Sequence, residues 1–112
     1  MDSVKDQYRT IIEKVFQDYI NFMGEEEGVQ FEVVLDKERD RYLLVEVGWQ
    51  DGYRIYGTFL HLDILDEKIW IQHDGTEAGI AYELESAGIP KSHIVLAFKP
   101  LANRKLTEYA VH

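Results

Sequence analysis

The sequence predicts an α+β fold: an antiparallel β-sheet of about four to six strands, with an N-terminal helix and a second helix packed on it. Three observations carry the prediction. Apolar residues near the N-terminus recur at three- and four-residue spacing, as on one face of a helix. Asp51-Gly52 lies between two alternating stretches, the pattern of a tight hairpin whose central residues need positive φ. Downstream, Asp74-Gly-Thr-Glu77, then Ile80, Ala81, Leu84 and Ala87, then Gly88 and Pro90 spell out a helix with a start and a stop.

The first helix runs from Ser3 to about Phe22, its stripe being Val4, Tyr8, Ile11, Ile12, Val15, Tyr19 and Phe22. Ser3 suits the N-cap, Asp6 suits the first turn, and Gly24 suits the end. Glu25-Glu-Glu27-Gly28 is a charged connector, and Gln30–Asp36 is the first strand. The face to which Phe31, Val33 and Leu35 point stays open, because one residue more or less in the following turn reverses it. Lys37–Asp40 is that turn, Arg41–Trp49 the second strand, and Tyr53–Leu65 the third. Asp66-Glu67 is the next turn, although Glu is a poor choice where φ is positive. Lys68–His73 is the fourth strand. Asp74 as N-cap and Glu77 three residues on have capping-box spacing. Ile94–Phe98 is a short buried strand or extended segment, Pro100 breaks it, and the tail adds a last strand around Tyr109–Val111.

Two-residue hairpin loops set the register. Trp49 faces Arg54, Val47 faces Tyr56, Val45 faces Thr58 and Leu43 faces Leu60; Ile64 faces Ile69 and Leu62 faces Ile71. Alternation then places Leu43, Val45, Val47, Leu60, Leu62, Ile64, Ile69 and Ile71 on one aliphatic face, which the helices must cover. The opposite face carries Tyr42, Leu44, Ile55, Phe59 and Trp70 mixed with Glu46, His61, Asp63 and Gln72. Large aromatics interspersed with polar tips suit a protein interface, so Tyr42, Leu44, Phe59 and Trp70 are its candidate residues, with a second copy of the chain as the simplest occupant.

At 112 residues with 46% apolar content, the chain suits a single domain over 1–112 with one core. It has no cysteine, which excludes disulfides and thiolate metal sites. The N-terminus lacks a secretory pattern and no stretch is apolar enough to span a bilayer, so the expectation is a soluble, cytoplasmic protein without a membrane partner. The formal charge of −9 repels phosphates and disfavours direct nucleic-acid binding. Arg39, Arg41, Lys99, Arg104 and Lys105 are the cations that could override it locally.

His61, Asp63, His73 and Asp74 invite a metal reading. The register above places His73 opposite Leu60, with its ring turned away from His61, and ligation needs convergence. Asp36, Glu38 and Asp40 alternate with Arg39 and Arg41, which favours a solvated turn over a divalent-cation site. No nucleophile elbow or phosphate-cradling glycine loop occurs, and Ser86, Ser92 and His93 sit in turn positions. The expectation is a protein that is not an enzyme, with no cofactor and no metal.

Several stretches, in this order along the chain, carry a resemblance: Tyr8-Arg9, Glu38-Arg-Asp-Arg-Tyr-Leu-Leu44, Val47-Gly-Trp49, Gly57, Asp63-Ile64, Lys68-Ile-Trp-Ile-Gln-His-Asp-Gly-Thr-Glu77, Gly79-Ile-Ala81, Ala87-Gly-Ile-Pro-Lys91, Ile94-Val-Leu-Ala-Phe98 and Thr107-Glu-Tyr-Ala-Val111. Together they make the chain similar to the XisI family, the fdxN-element excision controlling factors. It departs from that pattern at Glu67, where a Gly would suit the turn, and in the acidic Glu25–Glu27 connector. The resemblance implies an accessory role in programmed excision of a DNA element, where a separate site-specific recombinase cuts and rejoins. It also implies pairing with XisH, which itself resembles nucleases, and it supplies no catalytic residues. The expected function is therefore a non-catalytic control protein acting by contact with a XisH-like partner or the recombinase. The alternatives are a direct DNA-binding excision factor and a small ligand-binding module around His61, Asp63 and Trp70.

Overall fold

The computed structural model describes residues 3–24 and 28–112; the Glu25–Glu27 connector lies outside them. Helix α1 (Val4–Met23) starts at Ser3, whose hydroxyl accepts the Asp6 N–H, and ends at Gly24 with φ 67°. Strands β1 (Val29–Asp36), β2 (Arg41–Gln50), β3 (Tyr53–Leu65) and β4 (Lys68–Asp74) follow as an antiparallel meander. Helix α2 (Ile80–Ser86) leads through Gly88 at φ 106° to a 3₁₀ turn at Lys91–His93 and to β5 (Ile94–Val95). A single turn, α3 (Leu101–Arg104), precedes the tail. The sheet order is β1-β2-β3-β4-β5.

β5 lies parallel to β4. The helix between them makes this crossover possible, since parallel neighbours need a long connection. The extended segment expected over Ile94–Phe98 is only two residues of strand, and the expected tail strand is a single parallel bridge from Ala110 to Val95.

Asp51 and Gly52 take φ 51° and 81°, and Asp66 and Glu67 take 54° and 60°, so both hairpins close in two residues as expected. The pairs Trp49–Arg54, Val47–Tyr56, Val45–Thr58, Ile64–Ile69 and Leu62–Ile71 all form. Two bulges lie beyond them. Between Leu44 and Val45 the register slips by one, leaving Phe59 as an extra residue of β3, so Leu44 rather than Leu43 faces Leu60. Between His61 and Leu62 it slips again, with Gln72 the extra residue of β4.

The first bulge overturns the expected core face. Tyr42 and Leu44 join Leu60, Leu62, Ile64, Ile69 and Ile71 in the core beneath Tyr8, Ile12, Val15 and Phe16 of α1 and Ile80, Ala81 and Leu84 of α2. Leu43, Val45 and Val47 fall on the opposite face and are only half-buried. A period of two carries an error of one position along the whole remaining strand.

The second helix begins at Ile80 rather than beside Asp74, and Glu77 makes no capping box. Asp74 still serves the helix start from six residues back. Its carboxylate accepts from Ile80 N–H at 2.9 Å and from the Thr76 N–H and hydroxyl at 2.9 and 2.6 Å. Gly75 N–H donates to the Phe59 carbonyl at 2.8 Å, and a Cβ at Gly75 would stand 2.7 Å from that oxygen. Glycine there lets the strand exit pass against the bulge.

Candidate functional site

The helices cover one face of the sheet. The other presents Val34 of β1, Leu43, Val45, Val47 and Trp49 of β2, and Arg54, Tyr56, Thr58 and His61 of β3. Near the β2–β3 turn this face becomes aromatic. Trp49 is 59% exposed and Tyr56 72%, and the Arg54 guanidinium lies 5.4 Å from the Trp49 ring centre and 5.8 Å from that of Tyr56. Tyr53 on the helix side of the tip is also exposed, so the hairpin reaches past the helix layer. The Cα radius of gyration of 14.6 Å fits this, against roughly 13 Å for a compact chain of this length.

The four residues expected to form an interface do not share a surface. Tyr42 and Leu44 are core residues, 1% and 0% exposed. Phe59 turns toward α1 and packs on Tyr19 and Phe31, with ring centres 5.2 and 5.4 Å apart. Trp70 alone remains on the open face, half-buried, with Arg104 over its ring at 5.9 Å and its Nε1–H donating to the Leu65 carbonyl. The bulge at Phe59 is the cause, because it exchanges the faces of β2 residues beyond that point.

The second bulge corrects the histidine geometry. His73 pairs with His61 across the strands, not with Leu60, and both rings lie on the open face. His61 Nε2 lies 2.8 Å from Asp63 Oδ1, and Gln72 donates to Asp63 Oδ2 at 3.3 Å. Asp74 points to the other side, into its helix-start bonds. Among the described residues no group of three metal-ligating side chains converges.

A concavity lies between the C-terminal half of α1 and the 75–79 loop. It is a cleft of about 710 Å³ lined by Val15, Tyr19, Phe22, Met23 and Phe59, with Asp18, Glu77 and Glu83 at its margin.

The residues that carry the family resemblance hold elements together. Asp40, 5% exposed with φ 54°, accepts from Arg9 Nε, Lys5 Nζ and the Tyr42 hydroxyl, each at 2.8 Å. Arg9 also donates to the Lys37 carbonyl and to Asp6, so one guanidinium ties α1 to the β1–β2 turn. Burial alone would raise the Asp40 carboxyl, but the bonds from Lys5, Arg9 and Tyr42 outweigh it and hold it below the usual range. Burial, then the bond to Asp40, pushes the Tyr42 phenol up to about 12. Hydrogen bonds to Asp40 and Tyr42 keep Arg9 firmly protonated. Similar pins hold the other end. Tyr8 meets His93 Nδ1 at 2.5 Å, Tyr109 donates to Glu85 at 2.6 Å, and Lys91 pairs with Glu108. Arg104, a candidate phosphate contact by sequence, instead donates to the carbonyls of Lys99, Val111 and Ala97. Arg39 pairs with Asp36.

No curated protein sequence matches this chain. Its fold is similar to the crystal structure of a XisI-like protein from Anabaena variabilis, with TM-score 0.88 and 34% identity over 96% of this chain and 99% of that one. It is also similar to the crystal structure of the fdxN element excision controlling factor XisI from Anabaena variabilis, with TM-score 0.84 and 32% identity over 98% and 100% of the two chains. The family profile described as XisI protein matches residues 1–111. With that match and those two likenesses running nearly end to end, this chain belongs to the XisI family.

Proposed function

We propose that this protein is a non-catalytic control factor for excision of a DNA element, and that it acts by binding a XisH-like, nuclease-like protein through the open face of its sheet. The observation that carries the reading is the cluster of Trp49, Arg54 and Tyr56 at the end of an apolar strip formed by Val34, Leu43, Val45 and Val47. Trp, Tyr and Arg are the residues that most often dominate binding energy, and here an apolar surface adjoins them. The likeness to an excision controlling factor over nearly the full chain supports the biological role. Charge supports contact with protein over contact with DNA, since the chain carries −9 and Arg104 is committed to backbone carbonyls.

Co-expression with a XisH-like protein and affinity purification tests this. The wild type should retain the partner, and Tyr56→Asp should lose it while keeping its circular dichroism spectrum. A wild type that retains no partner, or a Tyr56→Asp and Trp49→Asp pair that binds as well as wild type, overturns the reading.

A further inference from the structure

Among the described residues nothing pairs with the outer edge of β1, and that edge suits a second copy of this chain, independently of the partner proposed above. β1 is eight residues long, is the outer strand of the sheet, and contains neither proline nor lysine. Its register with β2 runs unbroken from Val29 to Asp36. Proline, lysine and bulges are the devices by which exposed edges are usually protected, and this edge has none of them, its charges being Glu32 and the terminal Asp36.

The hydrogen-bond phase identifies which groups face outward. Trp49 N–H donates to the Gly28 carbonyl at 2.8 Å, which makes that pair hydrogen-bonded and, two by two, the pairs of Gln30, Glu32, Val34 and Asp36 with β2 as well. The backbone N–H and C=O of Val29, Phe31, Val33 and Leu35 therefore point away from the sheet.

We propose that two copies join β1 to β1 about a two-fold axis at Val33, extending the two sheets into one. Antiparallel self-pairing is the arrangement a two-fold axis imposes on a strand edge. Strand overlap and charge then select the register, since centring on Phe31 overlaps only Val29–Val33 of each strand, whereas centring on Val33 overlaps Gln30–Asp36. Centring on Glu32 opposes Glu32 to its own copy, and centring on Val34 opposes Glu32 to Asp36; both place carboxylates face to face, which is destabilising. Centring on Val33 opposes Val33 to Val33, Phe31 to Leu35, Glu32 to Val34 and Gln30 to Asp36. Every outward-facing group from Phe31 to Leu35 is then paired, with about six backbone hydrogen bonds formed across the axis. Val33, 39% exposed in the single chain, gains its own copy as neighbour on the helix side, and Val34, 43% exposed, gains the Glu32 stem on the open face.

The chain has no cysteine, so single-cysteine variants report the contact directly. At a hydrogen-bonded antiparallel pair the Cα atoms are about 5.5 Å apart, within the roughly 4.4–6.8 Å a disulfide spans. Under mild oxidation most of the Val33→Cys protein should run as a covalent dimer, with severalfold less from Val34→Cys and none from Tyr56→Cys. Sedimentation should give a wild-type dimer and a Val33→Pro monomer. The proline removes only an outward N–H, so circular dichroism should be unchanged. A monomeric wild type, a Val33→Pro variant that stays dimeric with native spectra, or cross-linking through Cys at 56 in preference to 33 overturns the proposal.

Discussion

Replacing Asp40 by Asn tests whether the bond set around Arg9 fastens the helix to the sheet. Asn tolerates positive φ, so the backbone at φ 54° is not the variable. The substitution keeps one carbonyl oxygen for Arg9 or the Tyr42 hydroxyl and removes the charge and the second acceptor. Lys5 is 49% exposed, so its ion pair is screened and contributes little. What remains is the charge-assisted bonding of one carboxylate that is 5% exposed, for which about 1.5–3 kcal/mol is the expected loss. Urea unfolding at neutral pH measures it. Acidification supplies a second readout with a definite sign. The folded carboxyl is held below its ordinary value, so its contribution is complete above the unfolded-state value of about 3.9 and is lost as pH falls through the lower folded value. The gap between wild type and Asp40→Asn should be constant from neutrality to about pH 5 and should close below about pH 4. A loss under about 0.5 kcal/mol, as for an ordinary surface change, or a gap that persists in acid, would refute the reasoning.

Three further outcomes follow from the bulges, the turns and the charge. Leu44→Ala should lose about 2–5 kcal/mol as a core truncation while its neighbour Leu43→Ala loses well under half as much; equal losses in denaturant melts would contradict the bulge at Phe59. Glu67→Gly should stabilise by about 0.5–1 kcal/mol, because Glu67 sits at φ 60° where a Cβ is unfavourable, and a lower urea midpoint would contradict that. Gel shifts at about 0.15 M salt should show no saturable sub-micromolar duplex binding, and its presence would return attention to Arg41, Lys99 and Lys105.

Much of the fold was legible because its signals are local. The Ser3 cap, the Asp51-Gly52 turn and the Gly88 stop each depend on a few adjacent residues, and each stands where expected, while the α1 stripe holds at Tyr8, Ile12 and Val15 but takes in Phe16 and leaves Val4 and Phe22 exposed. Glu67 shows the limit of residue preference: the hairpin closes on an unfavourable residue because the flanking pairs Ile64–Ile69 and Leu62–Ile71 hold it. The bulges were illegible for a different reason. A bulge adds one residue without changing composition or local pattern, and Phe59 and Gln72 look like any other strand residues. The displaced helix start has the same character. Asp74 has the chemistry of a cap, but the loop between it and Ile80 is held by Thr76, which the capping-box spacing does not foresee.

The candidate surface was lost through that one register step. Near the turn the expected pairs Trp49–Arg54 and Val47–Tyr56 are present, so the aromatic tip could have been read from the hairpin alone. A strict period of two instead assigns Leu43, Val45 and Val47 to the core and Tyr42, Leu44, Phe59 and Trp70 to the surface. The bulge places the larger pair, Tyr42 and Leu44, under the helices and leaves the smaller aliphatics on the face that no element of the described chain covers. This gives the face a composition that folding alone does not account for. Val45 and Val47 are good strand formers wherever they point, but Trp49 and Tyr56 add large apolar area at the exposed tip, where it contributes nothing to the core. Burial of such area is favourable only when something else supplies the second surface. The binding experiment on Tyr56 and the cross-linking experiment on Val33 therefore address separate surfaces. The first asks what covers the face, and the second asks what completes the edge.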